Sequence, residues 1–132
     1  MPSPLALLLA ATLASSADSL RGERDIRLTV LRHAKDVQRC YVDEGLRRNA
    51  TLDGVVEVEM TILPTGVVDA TVVSSATLRG VGAAEVSACI ATSARHWRFE
   101  RGPYDIETVV FPFVLRADQH PPQPASTPVK ST

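Results

Sequence analysis

The stretch Val55-Val56-Glu57-Val58-Glu59-Met60-Thr61-Ile62-Leu63, followed by Pro64-Thr65-Gly66 and then Val67-Val68-Asp69-Ala70-Thr71-Val72-Val73-Ser74, decides the fold. Val56, Val58, Met60 and Ile62 alternate with Val55, Glu57, Glu59 and Thr61. A period of two with apolar residues on one side and carboxylates on the other is the mark of a strand with one buried and one wet face. Pro64 presets its φ and Gly66 tolerates positive φ, so the chain can reverse within a few residues. Val67 to Ser74 then reads as the return strand, and the whole stretch as a β-hairpin.

On the N-terminal side, apolar residues recur at Ile26, Val30, Ala34, Val37, Tyr41 and Leu46. Steps of three and four describe one face of an amphipathic helix from about Asp25 to Asn49, with Arg27, Arg32, Lys35, Arg39 and Asp43 mostly on its wet side. Cys40 lies at the border of the buried stripe. Arg47-Arg48-Asn49 suits the negative end of the helix dipole. On the C-terminal side, Ser74-Ser75 and Thr77 offer helix N-cap chemistry, with Gly80 and Gly82 loosening the connection. Val86, Cys89, Ile90, Ser93 and Trp97 define a second amphipathic helix. After the turn signal Arg101-Gly102-Pro103, Ile106 to Leu115 reads as a final strand whose Val109, Phe111, Phe113 and Leu115 face the core. Pro112 lies on the opposite face and has no N–H to donate, which argues for an edge strand.

The order helix, strand, strand, helix, strand predicts an α+β domain. Two helices pack on one face of a small, mainly antiparallel three-stranded sheet, of order 2-1-3 if the third strand pairs beside the first. With 132 residues the chain has room for one such domain. Its start, Leu5 to Ala14, is an uncharged apolar run of signal-peptide length, too short to span a bilayer. Ser15 and Ala17 offer a cleavage point before Asp18. The expected organisation is a leader over 1–17, a linker over 18–24, the domain over 25–117 and a solvated Pro/Ser/Thr-rich tail over 118–132. A net charge of −1 gives no drive toward nucleic acid or an anionic membrane.

Motifs that would carry chemistry are weak. His33-x6-Cys40 and Cys89-x6-His96 share one spacing, but seven helical residues advance about 10.5 Å, whereas zinc ligands lie about 2.0 to 2.3 Å from the ion. A His and a Cys of one helix therefore cannot share a metal. Ser74, Ser75, Ser87 and Ser93 occur without a Gly-x-Ser-x-Gly elbow. Glu57 and Glu59 share the wet face of one strand, which suits a solvated surface better than a catalytic pair. Asn49-Ala50-Thr51 fits a glycosylation sequon. Trp97 is expected to anchor the second helix on the sheet. The reading expects no enzyme, no metal and no cofactor.

The order of elements resembles the TonB C-terminal domain fold. The string looks closer to the AgmX/PglI C-terminal domain of envelope proteins. The residues that carry the likeness are Cys40-Tyr41, Leu46-Arg47-Arg48-Asn49, Gly54-Val55-Val56 with Ile62, Gly66-Val67-Val68, Cys89-Ile90, Trp97-Arg98-Phe99 and Phe111-Pro112-Phe113. The likeness covers roughly Ile26 to Leu115. Tyr41, Trp97, Phe99, Phe111 and Phe113 are the expected structural anchors. In an oxidising compartment Cys40 and Cys89 are expected to form a structural disulfide, with two separate buried thiols or a redox-active pair as the alternatives; no Cys-x-x-Cys is present to lower a thiol pKa.

The likeness implies a periplasmic interaction module of a transport or gliding-motility type assembly that binds an envelope protein or peptide. Binding would use a sheet edge or a helix surface. The candidate partner-binding residues are Val67, Asp69 and Thr71 on the second strand and Val110, Pro112 and Val114 on the third. Pro112 blunts its own edge, which leaves the outer side of Val67 to Ser74 as the freer one, while the TonB-like precedent favours the last strand. A small thiol/disulfide redox factor and a purely structural accessory subunit are the alternatives.

Overall fold

The computed structural model describes residues 20–118. In chain order it contains α1 (Glu23–Arg32), α2 (Ala34–Cys40), a π-helical segment (Tyr41–Leu46), β1 (Gly54–Ile62), β2 (Val68–Ala76), α3 (Ala83–Ala94) and β3 (Glu107–Leu115). The expected leader over 1–17 and all of the expected tail except Asp118 lie outside the described residues. The strands form one sheet of order β2-β1-β3 with both pairs antiparallel. This is the expected α+β class with its small three-stranded sheet.

Alternation along β1 sets the layers. Val56, Val58, Met60 and Ile62 are fully buried, while Val55, Glu57, Glu59 and Thr61 on the other face keep part of their surface. On the buried side they join Val30, Val37, Cys40 and Tyr41 of the first helical stretch, Val86, Ile90 and Ala94 of α3, and Phe113 and Leu115 of β3 in one core cluster. Each fully buried aliphatic side chain contributes about 1.5–3 kcal/mol, so β1 alone supplies much of the drive for collapse. Thr71 Oγ1 donates to Ala91 O at 2.8 Å and ties β2 to α3.

Cys40 and Cys89 are joined as a disulfide, with 5.6 Å between their Cα atoms. The link fastens the end of α2 to the middle of α3. Beside it Tyr41 is fully buried, and its hydroxyl donates to the Leu52 carbonyl. Burial, helped by the charges of Asp53 and Asp118, pushes the Tyr41 phenol up to about 12. Trp97 stacks on His33 with ring centroids 4.9 Å apart and meets Phe113 edge-on at 6.1 Å. Its Nε1–H donates to Asp36 Oδ2 at 3.0 Å. Phe99 is buried, and Phe111 tilts against Phe113 at 5.2 Å while keeping part of its ring exposed.

Three local features differ from the sequence reading, besides the end of α3 at Ala94, three residues short of the Trp97 that the sequence placed on that helix. The single helix expected over 25–49 starts at Glu23, breaks at His33 (φ −107°, ψ 20°) and ends in the π-helical segment. There Arg47 N–H reaches the Val42 carbonyl five residues back, and the wider turn fits Gly45 against α3. A Cβ on Gly45 would stand 2.7 Å from Val86 Cγ2 and 2.9 Å from Leu52 Cδ2. Second, Ser74-Ser75 belong to β2, which runs on to Ala76, and Thr77 does not cap a helix. Thr77 instead closes the hairpin end, its Oγ1 accepting from Val55 N–H and its own N–H donating to Val55 O, both at 2.8 Å. α3 begins only after Gly82, whose positive φ of 88° lets the backbone pass close to the Glu44 carbonyl. Third, Arg21, expected in a linker, is buried.

Candidate functional site

The hydrogen-bond direction of β1 fixes what β3 offers. Thr77 exchanges two bonds with Val55, and Ser74 Oγ donates to Glu57 O, both from the β2 side. Backbone groups alternate sides along a strand, so those of Val56, Val58 and Met60 point toward β3, opposite Phe113, Phe111 and Val109. The intervening Thr108, Val110, Pro112 and Val114 therefore turn their backbone groups outward. Pro112 sits where its missing N–H costs the sheet nothing, which is why a proline is tolerated in mid-strand.

This free edge fronts a groove of about 640 Å³. Its far wall is α1 and the start of α2, which present Ile26, Val30, Leu31 and Val37; its near wall is β3, with Val109 and Phe111. The groove exists because the helical wall and β3 do not close on each other: β3 buries Phe113 and Leu115, but leaves Val109 and Phe111 half-covered. Glu23 and Arg27 pair at its rim, 3.4 Å apart. Its β3 entry is closed by Arg21, whose side chain is 1 % exposed and whose Nε lies 3.7 Å from Glu107 Oε1. The Arg21 guanidinium donates to the Glu100 and Leu63 carbonyls, lies over the Tyr104 ring at 4.4 Å, and its backbone N–H donates to Glu107 Oε1.

The residues named from sequence are distributed as follows. Val110 and Val114 are exposed at 50 % and 42 %, and Pro112 lies exposed between them. β2 is the other edge of the sheet, and another segment meets the chain only just before it and through one side chain. Val67 bridges to Arg98, Gly66 O accepts from Phe99 N–H at 2.8 Å, and Thr71 is engaged by α3. Asp69 is exposed. Sequence reasoning missed Arg21, Leu31 and Glu107. Arg21 and its partner Glu107 stand 86 residues apart, and no local pattern joins them.

No three His, Cys, Asp or Glu side chains stand close enough to hold a metal ion among the described residues. No helix there is long and apolar enough to cross a membrane. Compared with known proteins, the chain matches no family model, no curated protein and no solved structure.

Proposed function

We propose that this chain is a non-enzymatic, periplasmic protein–protein interaction module that takes an extended segment of an envelope protein along the outer edge of β3. The observation that carries this reading is an unpaired strand edge facing an apolar groove. An added strand would bond the N–H groups of Thr108, Val110 and Val114 and the carbonyls of these residues and Pro112, while every second side chain of the guest enters the groove over Val109, Phe111, Ile26 and Val30. The preferred guest therefore alternates apolar and polar residues. The resemblance of Cys40-Tyr41, Trp97-Arg98-Phe99 and Phe111-Pro112-Phe113 to the AgmX/PglI and TonB C-terminal domains supports an envelope transport or gliding-motility assembly as the setting, and the disulfide is consistent with an exported protein. The redox alternative draws little support, since Cys40 is 2 % exposed and Cys89 partly buried, and no Cys-x-x-Cys is present to lower a thiol pKa.

The test is backbone NMR of the labelled chain titrated with alternating apolar/polar peptides of about ten residues, a little longer than a typical strand. Shifts should concentrate in Thr108–Val114 and in the groove wall of α1. Val110→Pro removes one outward donor without touching the β1 ladder. Losing one bond worth about 1 kcal/mol should weaken a binding peptide about fivefold. Shifts that avoid β3, or a Val110→Pro chain that binds as well as the parent, would sink the proposal.

A further inference from the structure

The face of the sheet turned away from the helices carries Val55, Val72, Val110 and Val114 around two carboxylates, Glu57 and Glu59, on the central strand. Val72 is 56 % exposed. Register sets Val72 and Val110 on either side of Glu59 and Pro112 beside Glu57. Among the described residues neither carboxylate has a cation within 4 Å, and no Lys or Arg stands in these strands. The outer side of the first helical stretch has the opposite character. Arg24, Leu28 and Leu31 follow one another at steps of four and three and so share a stripe of α1, and Lys35 is exposed on α2 just past the break at His33. Leu28 and Leu31 are 45 % and 38 % exposed. Among the described residues Arg24 and Lys35 have no anionic partner within 4 Å.

We infer that the open sheet face of one copy of this chain docks the Arg24–Leu28–Leu31 stripe and Lys35 of a second copy. The two surfaces complement each other both ways: valines meet leucines, and two unpaired carboxylates meet two unpaired cations. Like faces do not pair, because sheet on sheet would set Glu57 and Glu59 against their own copies and helix on helix would do the same to the cations. The contact is therefore heterologous, and association runs head to tail, closing into a ring or extending as a filament according to the rotation between copies. The surface is small, so association is weak and needs high local concentration. It shares Leu31, Val110, Pro112 and Val114 with the groove, but its charged residues Arg24, Lys35, Glu57 and Glu59 lie outside the groove lining, so reversing them tests this contact separately.

Sedimentation of the full chain over a range of concentrations tests this, with thermal melts to confirm that each variant is folded. The weight-average mass should rise with concentration and fall back toward the monomer as salt shortens the screening length. Glu57→Lys with Glu59→Lys should be monomeric, and so should Arg24→Glu with Lys35→Glu. A one-to-one mixture of the two variants should regain association, because the reversed sheet of one then meets the reversed helix of the other, and the untouched faces also pair. A parent chain that stays monomeric, an association that either reversal leaves intact, or a mixture that shows no rescue overturns the inference. Binding of a monomeric parent to anionic vesicles that is lost only with Arg24→Glu and Lys35→Glu also overturns it, since the stripe would then be a lipid contact. Peptide binding to β3 should persist in both variants, which separates failure here from failure of the groove reading.

Discussion

Removing the Cys40–Cys89 link by the double substitution Cys40→Ala and Cys89→Ala should lower stability by an amount that the position of the link in the chain sets. The bridged residues are 49 apart in sequence, and the closed loop contains the π-helical segment, β1, β2 and the first half of α3. Closing a loop of that length removes about 4 kcal/mol of conformational freedom from the unfolded chain in the chain-entropy account. Cys40 is also buried, and trimming it to alanine leaves a small void costing on the order of 1 kcal/mol. A domain of this size shifts its melting temperature by roughly 4–8 °C per kcal/mol. A drop of about 20–40 °C is therefore expected. Circular-dichroism melts of the parent, the parent in reductant and the double alanine variant separate the two contributions, since reduction opens the loop but leaves both sulfurs in place. The reduced parent should lose most of the total and the alanine variant slightly more. A drop of less than about 5 °C in both, or two free thiols in the purified, unreduced protein by mass analysis, would refute the reasoning.

Gly66→Ala should cost at least about 2 kcal/mol, because Gly66 has a φ of +92° and a Cβ there would fall 2.0 Å from the Phe99 carbonyl oxygen; Gly22→Ala, with nothing within 4 Å, should be close to neutral in the same denaturant titration. Stability of the parent should hold until the unfolded-state tyrosine begins to ionise near 10 and then fall as pH approaches 12, because the folded Tyr41 phenol is raised to about 12 and only the unfolded chain releases that proton in between. Tyr41→Phe should remove this alkaline loss while costing about 1–3 kcal/mol at neutral pH by leaving the buried Leu52 carbonyl without its donor, so an unchanged alkaline profile in the variant would show that another group is responsible.

What the sequence disclosed and what it concealed divide by range. Strands β1 and β2 were legible because Val56, Val58, Met60 and Ile62 carry their period locally and Pro64-Thr65-Gly66 marks the reversal. The β2-β1-β3 order was legible only on the condition that the third strand pairs beside the first, a choice that a hairpin and one helical crossover leave open. The break at His33 was not legible, since apolar spacing continues through it from Val30 to Val37. It is held by a stack on Trp97 and by Asp36, which bonds the indole 61 residues away in sequence. Thr77 read as a cap because the hydroxyl chemistry of a cap and of a hairpin closure is the same, and only the position of Val55 decides between them. Of the candidate site, Val110, Pro112 and Val114 were named, but the groove was not. Its existence depends on how far α1 stands from β3, a tertiary quantity without a local signature.

That separation has an identifiable cause. α1 buries only Thr29 and Val30, too little apolar surface to hold ten residues flat against the sheet. It is secured instead at its ends. On the N-terminal side Arg21 is gripped by the Glu100 and Leu63 carbonyls, Glu107 and the Tyr104 ring, and on the C-terminal side His33 stacks on Trp97. A helix fixed at both ends acts as a rail, and the distance between rail and strand is set by the two anchors rather than by the side chains in between. Ile26, Leu31, Val109 and Phe111 can then remain partly uncovered without the walls collapsing onto each other. Pro112 belongs to the same arrangement: it removes a donor from the edge that the rail overlooks and leaves Val110 and Val114 as the donors on either side. A guest strand held at those two points, with the proline gap between them, must match a fixed spacing of carbonyls. The edge thereby discourages promiscuous pairing while leaving one register open to a suitable partner.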